Sequence, residues 1–271
     1  MPSKLFASEL GPPPLPLKLL PSLVLTTPIL LGLDYDGTIS EIAAEPRLAR
    51  PLSGVLAALR SLAAHRRRVA IALITGRTIE DLRSRMPLPA GILVAGAHGL
   101  QLMDETGKIE IAGAINDCRE DLERARSWLN QHLPTNAGFI VEDKGVAVAL
   151  HYRQAAAPLA HDLRNSFERF ILQQTSSLQP RHGKMVIEAL PHIATKATAI
   201  RTMCRWAGAE FEPVYFGDDL TDEDAFSELG PRGISVLVGA PRRSAAHYRV
   251  DGPRAVVEVL NALATALASP A

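Results

Sequence analysis

Hydrophobic residues in this chain fall into two textures. Short unbroken apolar runs have the length of strands buried on both faces, and longer stretches repeat at helical spacing. The runs at 29–33, 69–74 and 212–216 are of the first kind, and those at 92–95 and 233–238 extend the set. Helical spacing marks 53–65, where Pro51 suits a helix start, and then about 78–85, 116–132, 156–174, 195–207, 221–229 and 253–268. Residues 100–112 read as a hairpin around Glu105-Thr106-Gly107. At both ends of the chain strands alternate with helices, which predicts an α/β domain with a parallel sheet. In the middle, strands at 138–142, 145–152 and 184–189 lie next to one another with helices between them, which predicts an inserted α+β module. The expected organisation is therefore a parallel-sheet core from 28–107 and 191–271, with a module at 108–190 inserted into it.

Residues 1–27 stand apart. Gly11-Pro-Pro-Pro-Leu-Pro16 is a polyproline-like stretch, and Pro21 and Pro28 interrupt the apolar residues that follow. A secretory leader needs a proline-poor apolar segment with a small-residue cleavage site, and a membrane span needs about 20 uninterrupted apolar residues. Neither is expected, and 1–27 reads as a flexible or loosely docked extension. Acidic and basic residues balance at 29 each, which argues against a general nucleic-acid or membrane-surface role. Cys118 and Cys204 have neither metal-site nor disulfide-framework spacing, so a reduced, cytoplasmic setting is expected.

Chemistry gathers where the runs end. Ligands of open α/β sheets bind beyond the carboxyl ends of the strands. The first run ends in Asp34-Tyr35-Asp36-Gly37-Thr38. If this segment stays extended, the carboxylates of Asp34 and Asp36 point the same way, and they then need a cation or a shared proton. The plainer reading is an ordinary Asp-Gly turn. The second run ends in Thr75-Gly76-Arg77. Here a hydroxyl can donate to an oxyanion, and a guanidinium can orient a phosphate or sugar or else make a surface salt bridge. A third run ends in Asp218-Asp219-Leu220-Thr221-Asp222-Glu223-Asp224. Glu223 and Asp224 suit a helix's positive end, and Thr221-x-x-Asp224 fits a capping box. Asp218 and Asp219 precede that helix, where a cap does not call for two carboxylates. Lys196 opens another helix, where its charge opposes the dipole unless an anion binds nearby. The chain has six lysines among 29 basic residues, and Lys144, Lys184 and Lys196 all fall in these candidate segments.

With these segments in this order, the chain resembles the haloacid dehalogenase (HAD) superfamily of phosphatases. The matching motifs are Asp34-x-Asp36-Gly-Thr, Thr75, Lys196 and Asp218-Asp219. More narrowly, Gly96-Ala-His98-Gly99, Val141-Glu142-Asp143-Lys144, His151-Tyr152-Arg153, Gly183-Lys184-Met-Val-Ile-Glu188 and Gly217-Asp-Asp-x-Thr-Asp-Glu-Asp-Ala-Phe226 resemble the trehalose-6-phosphate phosphatase family over roughly 31–259. The resemblance implies a HAD-like Rossmannoid core with an α+β cap that sets substrate specificity. It implies that Asp34 attacks phosphorus to give an aspartyl-phosphate, and that Asp36 serves as acid and then base, with Thr75 and Lys196 completing the catalytic set. It also implies a Mg²⁺ ion held by Asp34, the Asp36 carbonyl and Asp218, with Asp219 and Asp222 behind them. Arg77, Glu142, Lys144, Lys184 and Glu188 would bind substrate. Lys184 and His151 are open between binding and other roles, and His98 between binding and structure. Functional coupling to a trehalose-6-phosphate synthase is also implied. Four positions depart from the family's pattern: Thr75 stands for a serine, Ala197 for a glycine, and Leu190 and His192 for basic residues around the proline. Alternatives are a phosphatase for another sugar phosphate, a hexose phosphomutase, and a catalytically silent sugar-phosphate sensor.

Overall fold

A computed structural model of the chain describes residues 11–43, 46–113, 115–183 and 185–268. In chain order the first elements are α1 (Leu19–Thr26), β1 (Ile29–Leu33), α2 (Val55–Ala63), β2 (Val69–Ile74), α3 (Ile79–Arg85), β3 (Leu93–Gly96), β4 (Gln101–Met103) and β5 (Ile109–Ile111). Then come α4 (Ile115–His132), β6 (Ile140–Asp143), β7 (Val148–His151), α5 (Ala157–Gln174), β8 (Leu178–Gly183) and β9 (Val186–Pro191). The chain closes with α6 (Lys196–Ala207), β10 (Glu212–Gly217), α7 (Asp222–Leu229), β11 (Ile234–Val238), β12 (Tyr248–Val250) and α8 (Pro253–Ala268). Two compact units result: Met1–Glu110 with Thr195–Ala271, and Ile111–Ala194. The insertion expected at 108–190 thus runs from 111 to 194.

The larger unit is built on a sheet of order β12-β11-β10-β1-β2-β3-β4-β5. β1 lies at its centre, parallel to both β10 and β2. Every residue of β1 is buried, which is why it reads as an unbroken apolar run rather than an alternating one. On one face Leu31, Leu33, Ile71, Leu73 and Phe216 pack with residues of α2 and α8 such as Leu59 and Leu260. On the other, Leu30, Ala72 and Tyr215 pack with Ile200 and Met203 of α6 and Phe226 of α7. The carboxyl ends of β1, β2 and β10 therefore finish side by side, where the candidate chemistry sits.

The N-terminal segment departs from the expectation. Among the described residues, 11–27 are not loose. Leu15, Leu20 and Val24 join the main core, and α1 packs on α8. Pro21 was expected to break this stretch, but it occupies the third position of α1. Proline is tolerated there because the first-turn N–H groups have no partner within the helix. The preceding strand-like residues bond to β12: Leu15 N–H donates to the Arg249 carbonyl at 2.8 Å, and Arg249 N–H to the Pro13 carbonyl at 2.9 Å.

The smaller unit is a four-stranded antiparallel sheet, order β6-β7-β9-β8. Helices α4 and α5 pack against it, and Trp128 of α4 stacks on both Phe167 and Phe170 of α5. Val148, Leu150, Ile187 and Ala189 share one sheet face and are fully buried. The alternate positions carry the polar set: Glu142, Ala149, Glu188 and Arg181 stand in one row across the strands. Strand β8 contains Gln179-Pro-Arg-His-Gly183, a stretch poor in strand formers. It lies at the sheet edge, where proline is allowed. In the larger unit, β12 is three residues long, too short to show a strand pattern in the sequence.

Candidate active site

Asp34 follows β1 directly and is 5% exposed. Its Oδ1 lies 3.0 Å from the Lys196 ammonium, which reaches it from the first turn of α6. The same ammonium donates to Asp222 Oδ1 at 2.7 Å. That oxygen also accepts the Tyr215 hydroxyl at 2.6 Å, while Asp222 Oδ2 accepts the Asp219 N–H at 3.0 Å. Lys196 thus has the anions that its place at a helix start requires, and they are internal carboxylates. Tyr215 was not anticipated. The available signal was a hydroxyl in an otherwise apolar buried strand, which needs a partner. Gly32 makes room for it: a Cβ there would lie 2.8 Å from the Tyr215 ring.

Asp36 has partners of its own. Strand geometry ends at Leu33, before both carboxylates, so strand alternation does not set their relative direction. The Asp36 carboxylate accepts two bonds from Arg77, Nε and Nη2, each at 2.7 Å. Arg77 Nη1 reaches Asp81 at 2.5 Å, and its guanidinium lies 5.3 Å from the centre of the Tyr35 ring. Of the two roles open to Arg77, the structure displays the ion pair, made both with the candidate acid Asp36 and with Asp81. Thr75, 1% exposed, accepts the Arg77 N–H at 3.1 Å on its hydroxyl oxygen. Buried His98 holds the Thr75 carbonyl through its backbone N–H and lies over Gly76, where a Cβ would sit 2.7 Å from its ring. That makes it part of the frame behind Thr75.

Asp218 approaches from β10. Gly37 is required here, because a Cβ would fall 2.0 Å from an Asp218 carboxylate oxygen. Carboxylate oxygens of Asp34, Asp218 and Asp222 lie within 4.8 Å of one another. Burial pushes the Asp34 carboxyl well above the usual range, with Lys196 opposing and Asp222 and Asp218 adding to the rise. Asp218 is pushed up to about 7, by burial first and then by Asp222, against Lys196. Burial works against the Lys196 charge, but Asp222 and Asp34 outweigh it and raise its pKa. Tyr215 is raised by burial and by Asp222, so it remains a donor.

This donor set fits a hard divalent cation. Asp218 Oδ1 is buried without a hydrogen-bond partner, a costly condition that an ion relieves. Asp222 fits less well, since both of its oxygens are already engaged by Lys196, Tyr215 and Asp219. Asp219 is exposed and its Oδ1 accepts the Leu220 N–H at 2.7 Å. The capping box expected at 221–224 is absent: Thr221 makes no side-chain cap bond, and Glu223 instead pairs with Arg242.

In the smaller unit, Lys144 and Glu188 form a hydrogen-bonded ion pair, and His151 Nε2 lies 2.8 Å from Glu142 Oε2. The His151 contact, more than burial, sets the Glu142 carboxyl below its usual range. These four side chains share the sheet face opposite the buried one. Lys184 lies outside the described residues.

The trehalose-phosphatase family profile matches residues 32–254. A curated trehalose-phosphate phosphatase of Mycobacterium marinum is 35% identical over 249 residues, 87% of this chain. The chain spans 61% of that relative's length. Among solved structures, the C-terminal domain of Candida albicans trehalose-6-phosphate phosphatase superposes with a TM-score of 0.78 at 25% identity, covering 95% of this chain and 99% of that one. The sucrose-phosphatase of Synechocystis shares the fold at 15% identity, with a TM-score of 0.56, covering 89% of this chain and 98% of that one. With a profile match over most of its length, this α/β chain with a HAD-like parallel-sheet core belongs to the trehalose-phosphatase family.

Proposed function

We propose that the chain is a phosphoric monoester hydrolase that cleaves trehalose 6-phosphate to trehalose and phosphate through an aspartyl-phosphate on Asp34. The observation that carries this reading is the buried Asp34 carboxylate, 3.0 Å from Lys196 and grouped with Asp218, in a chain of this family. Lys196 favours the ionised form of Asp34 against the burial that opposes it, as a nucleophile requires. An Asp34 oxygen attacks phosphorus, and the bond from phosphorus to the sugar oxygen breaks. The departing oxygen takes a proton from Asp36. Water then attacks the aspartyl-phosphate, gives its proton to Asp36, and phosphate leaves with Asp34 restored. The Arg77 fork holds both Asp36 oxygens, and at least one of these bonds is given up while Asp36 carries a proton. The Thr75 hydroxyl is available to a phosphoryl oxygen.

Asp34, the Asp36 carbonyl and Asp218 would hold Mg²⁺, which would supply positive charge against the phosphoryl oxygens. Recognition of the sugar is assigned to Glu142, Lys144 and Glu188, a polar face with Ala149 between the acids that suits a ligand rich in hydroxyls; Lys184 is proposed with them. The substrate would be supplied by a trehalose-6-phosphate synthase, in the cytoplasm. No described helix is long and apolar enough to cross a membrane.

A panel of sugar phosphates with purified protein and Mg²⁺ tests the reading. Phosphate release, with trehalose 6-phosphate preferred, supports it. Isomerisation of a hexose phosphate would make the chain a mutase, and binding without turnover would make it a sensor.

A further inference from the structure

The loop after β11 reaches the acidic loop that follows β10 through Arg242, and the backbone of Arg242 is in turn met by Gly11. Arg242, in the loop after β11, donates through Nη2 to the carbonyls of Asp219 at 3.1 Å and Asp218 at 3.3 Å. Through Nη1 it meets Glu223 Oε1 at 2.5 Å. The other Glu223 oxygen accepts the Ala245 N–H at 2.7 Å and the Ser244 hydroxyl at 3.1 Å, tying the same loop down at a second place. Gly11 then backs Arg242 from outside. It is buried at φ +80°, and a Cβ would stand 2.6 Å from the Arg242 carbonyl oxygen. Pro13 and Leu15 hold that segment to Arg249 of β12.

The acidic loop has little else to fix it from the solvent side. Asp219 and Leu220 are exposed, with Leu220 at 73%. The loop's own bonds run inward, from Asp222 N–H to the Asp219 carbonyl and from Asp219 N–H to Asp222 Oδ2. The guanidinium reaches one carboxylate and two carbonyls from two separate nitrogens in a fixed planar fork, whereas an ammonium concentrates its donors on one atom.

We propose that Arg242 is a positioning residue for the reaction, a clamp on the Asp218–Asp219 backbone that Gly11 braces from behind and that sets the Asp218 carboxylate opposite Asp34. The proposal rests on the phosphatase reading for its effect on rate, but the clamp itself can be read without substrate.

The test compares full-length wild type with Arg242→Ala, Arg242→Lys and Gly11→Ala. One readout is hydrogen–deuterium exchange of metal-free protein, and the other is steady-state hydrolysis of p-nitrophenyl phosphate. For Arg242→Ala, exchange should quicken in peptides covering 217–224 while the β1 and β2 peptides stay protected. The kcat should fall roughly 10- to 100-fold, the scale for small misplacements transmitted from outside the reacting groups, with KM little changed. Arg242→Lys should recover part of both, and Gly11→Ala should show the same pattern more weakly. If Arg242→Ala does not fold, the lysine and Gly11 variants carry the same readouts. Unchanged exchange at 217–224 overturns the clamp, whatever the true substrate. Quickened exchange with unchanged kcat overturns its part in catalysis. A loss of protection spread evenly over the sheet makes Arg242 a general structural residue and also overturns the proposal.

Discussion

Replacing Lys196 by methionine removes one charge from the most buried part of the site and nearly preserves side-chain volume. The ammonium is 3% exposed and lies 3.0 Å from Asp34 and 2.7 Å from Asp222. Without it, Asp34, Asp218 and Asp222 remain grouped within 4.8 Å with no counter-charge among them. Removing one partner of a buried ion pair costs about 3–5 kcal/mol, because the survivor stays desolvated. That loss is expected in urea unfolding at about pH 8, with chelator present so that no cation substitutes. The pH dependence carries the sharper test. Asp34 and Asp218 are already raised above their unfolded values with lysine in place, Asp218 to about 7, and losing Lys196 raises them further. A carboxyl whose folded pKa lies above its unfolded value favours the fold while protonated, and that contribution is lost as pH rises through the folded pKa. The gap between variant and wild type should therefore narrow toward about pH 5, where the carboxyls protonate. An equal loss at both pH values, or a loss below about 1 kcal/mol at the higher one, would refute the argument that Lys196 is the counter-charge of this cluster.

Other outcomes follow from the same geometry. Tyr215→Phe keeps the ring against Gly32 but takes a hydrogen bond from buried Asp222, and should cost about 1.5–3 kcal/mol in urea unfolding; no loss would mean that Asp222 is satisfied without it. Glu188→Ala should lower kcat/KM for trehalose 6-phosphate by about 1–3 kcal/mol while sparing p-nitrophenyl phosphate, whereas equal losses on both would assign Glu188 to the fold or the core chemistry. Exhaustive chelation should abolish turnover and Mg²⁺ should restore it, with Ca²⁺ a poor substitute because it takes more ligands at longer distance; full activity after chelation would remove the metal role given to Asp218. Mg²⁺ should also raise the Tm more at about pH 8 than at about pH 5, since an Asp218 carboxyl pushed up to about 7 must ionise to bind it; an equal rise would contradict that site.

The parallel core was readable because its strands are buried on both faces, so Ile29–Leu33 and Val69–Ile74 carry the sheet in their composition. Strand β8 and helix α1 were not readable, because position within the fold decides how proline is tolerated. Pro180 lies on an edge strand and Pro21 in a first helical turn, and neither context is visible locally. Lys196 stood out by its charge at a helix start, though its partners proved to be Asp34 and Asp222. The pairing of Asp36 with Arg77 was not visible locally, because strand geometry ends at Leu33, before both carboxylates. Tyr215 and Arg242 act through contacts across sequence gaps to Asp222 and to the Asp218–Asp219 carbonyls, and only the folded chain brings those together.

The central claim is that Asp34 takes the phosphoryl group from trehalose 6-phosphate. Its most direct test is trehalose and phosphate release by wild type and Asp34→Asn, side by side, from matched preparations with Mg²⁺ and with the fold checked by circular dichroism. Asparagine is nearly isosteric but lacks the charge needed to attack phosphorus. The account predicts equimolar trehalose and phosphate from the wild type and none above background from the folded variant. Substantial turnover by Asp34→Asn would contradict the nucleophile assignment, and a wild type inert toward trehalose 6-phosphate would contradict the substrate.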